Sequence, residues 1–595
     1  MKKNLDKISS PGKSKSKALL DFALFAMTSP GMKVFRNALR KKLHRSGIIK
    51  QQTIDYNQWI AAQADNGKVV SKFANMPRFS ILLPVNDTIP DTVIHSITAQ
   101  AYTNWELFIT CTPDGEKQLQ QYRVDPRVHI SPKQVIPTLS DLLKDELPNA
   151  TGTYIVLMDQ HYALAPHYLY ELAKQINSLP DTKIIYTDED TRNKKGKYSN
   201  PIFKPALSPD LLLTHNYIGD VYCMQRAFLN TTLHIHASIQ FANVYELLLI
   251  VTSTSQLASN ILQVLVHKIS ATIGRRYTEE QHLSTKKAIE AYLQWSKLDA
   301  TVEPIPGVEG KYRVNFKHTD APKVSILIPT KDQVTLLKTT LDSVFQKTDY
   351  PDFEVILINN NSTSPEFFEL VKAYSARHSN FTCIDAHIPF NFSRLINTGA
   401  AASKGEYLLL LNNDMEVIHA DWLTLMMAYA QKGGVGTVGA KLLYPDDTIQ
   451  HAGIVLGTGD TATHIYAHMP KDATGYLDAI KTVANYAAVT GACLLCSKEN
   501  FNLAGGMDNH LEVEYNDLDL CITLVNLGLS CVYLPYVTLY HHESASRGHP
   551  MRSKRSYKQH LHDLTVFKKS WQHYLDNDPY YNPNRKIKFT GANTD

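Results

Sequence analysis

The chain has 595 residues, 44% of them hydrophobic and 20% charged, and a formal net charge of +4. That balance excludes a disordered chain, which is poorer in apolar residues, and gives no sign of bulk nucleic-acid binding. No run reaches the roughly 18 consecutive apolar residues of a spanning helix, and seven Cys at irregular spacing argue against a zinc finger or a disulfide framework and fit a reducing cytoplasm.

Met1 to Lys17 is rich in Lys and Ser, and Lys2 and Lys3 are not followed by the apolar stretch of a secretory signal. From Ala18 to Gly47 apolar residues recur at helical spacing (Leu19, Leu20, Phe22, Phe25, then Val34, Phe35, Leu39, Leu43), accompanied by Arg36, Arg40, Lys41 and Lys42. Pro30-Gly31 divides this stretch into two predicted helices. A basic amphipathic pair suits an anionic membrane surface or packing on the protein's own body, and amphipathicity alone does not separate the two.

At Arg78 an alternation of strands and helices begins. FSILLPV (79–85), WELFITC (105–111), YIVLMD (154–159) and KIIYTDED (183–190) read as strands, and TVIHSITAQ (92–100) and YLYELAKQI (168–176) as helices. The order recurs about 245 residues later: VSILIPT (324–330) matches FSILLPV, FEVILINNNS (353–362) matches WELFITC, and GEYLLLLNND (405–414) matches GTYIVLMDQ (152–160). This is a duplicated α/β domain with a predicted parallel sheet, whose ligands belong at the carboxyl ends of the strands. The expected boundaries are a basic helical extension over 1–75, a first domain over 76–300, a polar turn-rich linker over 301–322, a second domain over 323–550 and a basic helical or extended tail over 551–595.

Polar clusters close the apolar runs of the second copy: VSILIPTKD (324–332), LLLLNNDMEV (408–417), VTGACLL (489–495), YNDLDLC (515–521), HHESASRG (541–548), with DPYYNPN (578–584) in the tail. In this order and spacing they resemble family 2 glycosyltransferases of the GT-A fold, a Rossmann-like fold of nucleotide-diphospho-sugar transferases. The nearest likeness is to two-domain bacterial enzymes of the rhamnosyltransferase or O-antigen biosynthesis type. The resemblance covers about four-fifths of the chain and implies two tandem GT-A domains with helical extensions at both ends.

The resemblance also implies roles. Charge developing on a departing diphosphate calls for a divalent cation, Mg²⁺ or Mn²⁺. Asn412-Asn413-Asp414 stands at the family's acidic metal motif, with Asp414 as the ligand; the late His, with His542 favoured over His541, would join it. Arg547 would pair with a phosphate oxygen. Pro329, Thr330 and Asp332 would lie beside the nucleoside with Asn359 and Asn361, and Asn412 and Asn413 would contact the donor. Inverting transfer needs a carboxylate to take the acceptor's proton, and that role falls on Asp517, with Asn516 where many relatives carry Glu. As a plain reading of the same residues, Asp517 is also a helix N-cap candidate, and Asp519 would anchor the helix.

The first copy has lost these features. Cys111 stands where the second-strand acid is expected, the metal motif reads Asp159-Gln160-His161, and Val244 occupies the base position, with Glu246 as the displaced alternative. Asp188, Glu189, Asp190, Lys204 and Pro205 still follow the family's pattern, and His267 matches the late His. The expectation is an inverting transferase moving a sugar from a nucleoside-diphosphate donor to a growing bacterial surface glycan on a lipid carrier. It would be cytoplasmic, with peripheral contact at the inner membrane through the basic N-terminus and no nucleic-acid partner. A transferase with both domains active and a non-catalytic carbohydrate-binding scaffold are the alternatives. A Rossmann oxidoreductase is disfavoured because neither first strand is followed by GxGxxG.

Overall fold

Phe79–Val85 (β1) and Val324–Thr330 (β9) are mainly apolar runs, interrupted only by Ser80 in the first and by Ser325 and the closing Thr330 in the second, and buried along almost their whole length, as expected of central strands covered on both faces. Each founds a sheet. The computed structural model describes residues 53–66, 73–86, 88–255, 257–270, 279–317, 320–458, 461–542 and 554–590. The predicted helices over 18–47 and Arg547 lie outside them. Among the described residues two units are distinguished: residues 53–55 with Lys586–Thr590, in which Ile54 pairs in parallel with Phe589, and Tyr56–Arg585, which holds both sheets.

In the first sheet β1 is followed by Trp105–Cys111 (β2), Val128–Pro132 (β3), Tyr154–Leu157 (β4), Tyr162–Leu164 (β5), Ile184–Asn193 (β6), Tyr222–Gln225 (β7) and Ala258–Ser270 (β8). In the second, β9 is followed by Phe353–Asn359 (β10), Phe381–Asp385 (β11), Tyr407–Leu411 (β12), Met415–Val417 (β13), Val435–Leu443 (β14), Cys493–Ser497 (β15) and Ser530–His541 (β16). The spatial orders are β3-β2-β1-β4-β7-β6-β8-β5 and β11-β10-β9-β12-β15-β14-β16-β13, the same sequence of positions twice. The α/β class is as expected, but the sheets are mixed rather than parallel. Six strands run in one direction in each, β7 and β15 are reversed between their neighbours, and β5 and β13 close the edge antiparallel. The antiparallel strands are short apolar runs, and periodicity gives no strand direction.

The stretch expected as a linker is instead an antiparallel hairpin, Ala300–Pro304 against Tyr312–Phe316. Its alternation buries Tyr312, Val314 and Phe316 in a hydrophobic cluster that also takes in Leu212 and Tyr245 from the first half and Tyr429 and Val532 from the second. Polar ties join the halves as well. Asn485 donates from Nδ2 to Asp210 Oδ2 at 2.7 Å and Ser208 donates to Asn485 Oδ1 at 2.8 Å, while Lys432 reaches the buried Asp210 carboxylate. Cys493 and Cys496 are spaced as C-x-x-C, yet they lie on one strand, β15, where residues three apart face opposite sides. Both are buried free thiols.

Candidate functional site

In the second sheet Thr330 ends β9 and Asn412-Asn413-Asp414 follows β12, so the parallel strands deliver polar groups to one edge. Asn413 Nδ2 donates to Thr330 Oγ1 at 3.0 Å. The register of β13 on β16 places Met415 opposite His541 and so brings His541 beside Asp414. His541 Nε2 is 3.2 Å from Asp414 Oδ1 and 3.5 Å from Asn412 Nδ2. Asp414 is 5% exposed and His541 6%, so a carboxylate oxygen and an imidazole nitrogen converge where water does little to screen them. His542 does not join them. Its side chain turns to the other face, as strand alternation requires, and Nε2 sits 3.2 Å from Glu416 Oε2. The expected partner of Asp414 is therefore corrected from His542 to His541.

Pro329, Thr330, Asp332, Asn412, Asn413 and Asp414 line one cleft of about 790 Å³ together with His541, a size suited to a nucleotide-like ligand. Asp332 also has a structural duty, its Oδ1 accepting from the Thr363 and Ser364 N–H groups at 2.8 and 2.9 Å. Asn359 and Asn361 are not in the cleft. Asn359 is buried and donates to Asp385 Oδ1 at 2.7 Å, and Asn361 donates to the Ile388 carbonyl at 2.9 Å. The residue between them, Asn360, lines the wall instead. A run of three Asn at a strand end gives no hint of which one turns inward.

Asp517 lines an adjoining cavity of about 350 Å³ that shares Asn412, Thr490, Ala492 and Glu514 with the cleft. It is the second residue of helix α2 (Asn516–Asn526). The N-cap is Tyr515, with φ +66°, so the capping reading of Asp517 is set aside. Its Oδ2 accepts from Gly491 N–H at 2.7 Å and its Oδ1 from Leu518 N–H at 2.9 Å. A Cβ at position 491 would come within 3.0 Å of the Asp517 Cβ, which explains the glycine in VTGACLL. Burial pushes the Asp517 carboxyl above the usual aspartate range, and the two N–H donors only partly offset it. Asp519 faces elsewhere and accepts from Trp571 Nε1 at 2.7 Å.

Several residues escaped the sequence reading. Helix α3 (Lys554–Asp576) brings Ser556, Gln559 and His560 to the cleft. Its Asp563, wholly buried, accepts from the backbone N–H groups of Glu512, Val513 and Glu514 at 3.3, 3.0 and 3.0 Å and thereby fixes the segment ahead of Asp517. His560 Nδ1 lies 2.7 Å from Glu514 Oε2. The available signal was that Asp563 is the lone acid between Lys554 and Leu575. His464 lines both cavities and sits with Nδ1 3.0 Å from Nδ1 of the buried His451. Burial, with His464 and His541 close by, holds His451 well below the ordinary imidazole value and keeps it neutral.

Three acids of β6 in the first sheet, Asp188, Glu189 and Asp190, are occupied. Asn582 of the tail donates from Nδ2 to both Asp188 oxygens at 2.9 and 2.8 Å, Lys204 Nζ meets Glu189 at 2.8 Å, and Asp190 receives Tyr56 OH at 2.8 Å and faces His267 Nδ1 at 2.6 Å. At the N-terminus of helix α1 (Val244–Thr254), Asn243 caps Tyr245 and Glu246 through Oδ1 at 3.0 Å, and Glu246 Oε2 accepts from Ala242 N–H at 2.6 Å. Glu246 is thus a capping residue.

Burial pushes Asp188 from 3.8 up to about 7, which has a testable consequence. A carboxyl raised in the folded state supports folding most below its unfolded pKa, and that support is lost as pH rises through the folded value. The melting temperature of the wild type relative to Asp188→Asn is expected to fall as pH rises from about 4 to about 7, read by thermal unfolding across buffers; a difference that stays flat would refute the assignment.

The Glycosyl transferase family 2 sequence model matches residues 325–471, a span that includes Asp414 and stops short of Asp517 and His541. The chain is 34% identical over 539 residues to "Uncharacterized protein y4gI" of Sinorhizobium fredii, covering 88% of this chain and 59% of that protein. It is 29% identical over 557 residues to the "O-antigen biosynthesis protein RfbC" of Myxococcus xanthus, covering 90% of this chain and 43% of that one. The chain therefore spans about half the length of these curated relatives. Among solved structures it is similar to a mannosyltransferase from Pyrobaculum calidifontis in complex with GDP-Man and Mn²⁺ (17% identity, TM-score 0.33, 51% of this chain and 79% of that one). It is also similar to GalNAc-T7 with UDP, GalNAc and Mn²⁺ (16% identity, TM-score 0.34, 43% and 50%). Residues 325–471, within the second half of the chain, therefore match glycosyltransferase family 2.

Proposed function

We propose that the protein is an inverting glycosyltransferase built on two GT-A-like domains. The second domain transfers a sugar from a nucleoside diphosphate to a glycan acceptor, and the first has no catalytic role. One observation carries the reading: a buried Asp414–His541 pair and the Asp517 carboxylate lie in two cavities with a shared wall. The donor's diphosphate belongs in the larger cleft, beside Thr330, Asn413 and Asp414, and the acceptor hydroxyl in the smaller one.

Asp517 accepts the acceptor's O–H proton as that oxygen bonds to the anomeric carbon, and the carbon–phosphate oxygen bond breaks with its electrons leaving on the diphosphate. The raised carboxyl makes Asp517 a stronger base than an ordinary aspartate, and its hydrogen bonds to Gly491 and Leu518 keep it oriented. Asp414 and His541 would hold a divalent cation. The carboxylate oxygen suits Mg²⁺ or Mn²⁺, and the imidazole nitrogen favours Mn²⁺ of the two, Mg²⁺ being the harder, oxygen-seeking ion. Among the described residues no group of three or more His, Cys, Asp or Glu is placed to hold a metal, so phosphate oxygens of the donor would complete the ligand set. Such a cation neutralises charge on the departing diphosphate.

The capped Glu246, the Val244 at the base position and the occupied acids Asp188, Glu189 and Asp190 support a first domain without catalysis. The similarity to an O-antigen biosynthesis protein supports a bacterial surface polysaccharide, lipid-carrier linked, as the acceptor class. The test is donor hydrolysis by the full chain with UDP-, dTDP- and GDP-sugars, with Mg²⁺, Mn²⁺ or chelator. Metal-dependent release of one nucleotide is expected. Turnover of none, with and without a membrane-lipid extract as acceptor source, would overturn the reading in favour of a binding scaffold.

A further inference from the structure

One face of α3 serves the cleft, through Ser556, Gln559 and His560, and anchors itself through the buried Asp563 and Phe567. The other face carries a different chemistry. Arg555, Lys558, His562 and Lys569 are exposed and fall at the three-, four- and seven-residue spacings that place side chains in one stripe along a helix. Beside the stripe stand Tyr557, 38% exposed, and Leu561, 42% exposed, four residues apart. From Lys554 to Leu575 the single acid is Asp563, which is buried, and none of the four basic side chains forms an ion pair among the described residues. Arg555, Lys558 and His562 share a surface groove with Gln559, which also lines the cleft. Phe390, on the cleft wall, is itself 41% exposed.

We propose that the outer face of α3 docks on an anionic phospholipid surface, setting the rim of the cleft against the membrane. A stripe of cations flanked by an exposed aromatic and an exposed aliphatic side chain fits the interface between headgroups and acyl chains, the cations drawn to the lipid phosphates and the apolar pair inserted shallowly. An acidic protein partner would match the charge but not the apolar pair. The orientation lets an acceptor carried on a lipid reach the site without leaving the bilayer. That last clause rests on the transferase reading above, whereas the docking itself does not.

The test is co-sedimentation of the full chain with vesicles of phosphatidylcholine alone or of equal parts phosphatidylcholine and phosphatidylglycerol, at low and high salt. The wild type is expected to bind the mixed vesicles only, and less well at high salt. In the triple variant Arg555→Gln/Lys558→Gln/Lys569→Gln the partition falls by roughly fivefold per charge removed, and Leu561→Ser weakens binding at high salt as well as low. Both keep the wild-type melting temperature, because every side chain changed is exposed. Failure of the wild type to bind, equal binding to neutral vesicles, or full binding by the triple variant would each overturn the proposal, the last assigning membrane contact to another basic segment such as residues 18–47. Donor hydrolysis without acceptor reads the active site separately, so either idea can fail while the other stands.

Discussion

Asp517→Asn is expected to lower the rate of sugar transfer by about 10²–10⁴-fold, the range a positioned general base supplies, while donor affinity stays within a few-fold of wild type. The split follows from placement. Asp517 lines the smaller cavity and is absent from the wall of the larger cleft, so its loss removes proton acceptance without removing contacts to the nucleotide. The amide oxygen can still accept from Gly491 N–H, whose bond to Oδ2 is 2.7 Å in the wild type, so the loop and helix keep their positions and the melting temperature is expected to change little. The pH profile gives a second readout. The base must be ionised, and burial holds this carboxyl above the usual aspartate range, so kcat is expected to decline on acidification at a higher pH than an ordinary carboxylate would give. That acid limb should vanish from the residual activity of the variant. Asp519→Asn provides the contrast, because Asp519 serves Trp571 and its amide can do the same; its kcat is expected to stay near wild type. Equal losses from the two substitutions would show that the helix terminus, rather than the Asp517 carboxylate, had been disturbed.

The sequence made the strands and the strand-end polar clusters legible because both depend on local pattern. Val324 to Pro329 is apolar at every position but Ser325, and a strand buried on both faces is what makes use of such a run. Thr330, Asn412, Asn413 and Asp414 follow directly, as residues at the carboxyl ends of such strands. What stayed hidden depends on register and on contacts across long separations. Choosing His541 over His542 needs the pairing of Met415 with His541, since one step along a strand exchanges the faces. Choosing Asn360 over Asn359 and Asn361 needs the route of the loop to Ile388. Pro304, Pro306, Gly307 and Gly310 give the linker its turn-rich look, yet Tyr312, Val314 and Phe316 alternate as a strand with one face to bury. The tail was the largest gap. Asp563 meets residues 512–514 and Asn582 meets Asp188 across 394 positions, contacts for which a single sequence carries no periodicity.

Replacing the two adjacent histidines separately should give opposite results, with a decisive reference in Asp414. Asp414→Asn removes the charge from a site only 5% exposed, where electrostatic stabilisation of a leaving diphosphate is strongest, and a loss of more than about 100-fold in kcat is expected. His541→Ala removes the imidazole that lies 3.2 Å from Asp414. It is expected to raise the Mn²⁺ or Mg²⁺ concentration needed for half-maximal activity by about 10-fold or more, the scale of lost ligand support, with much of the rate restored at high metal. His542→Ala cuts only a half-exposed contact with Glu416, so its activity and metal dependence should stay within a few-fold of wild type. Stability must be read alongside, because removing one member of a buried Asp–His pair leaves the other without its partner; Asp414→Asn, close in shape, limits that effect, and thermal unfolding measures it. Titration calorimetry of the donor with and without chelator completes the set. Metal-enhanced donor binding should persist in His542→Ala, weaken in His541→Ala and disappear in Asp414→Asn. If His542→Ala were the more damaging of the two histidine changes, the register of β13 on β16 would be the wrong guide to the metal-holding face, and with it the pairing of Asp414 with His541 as ligands.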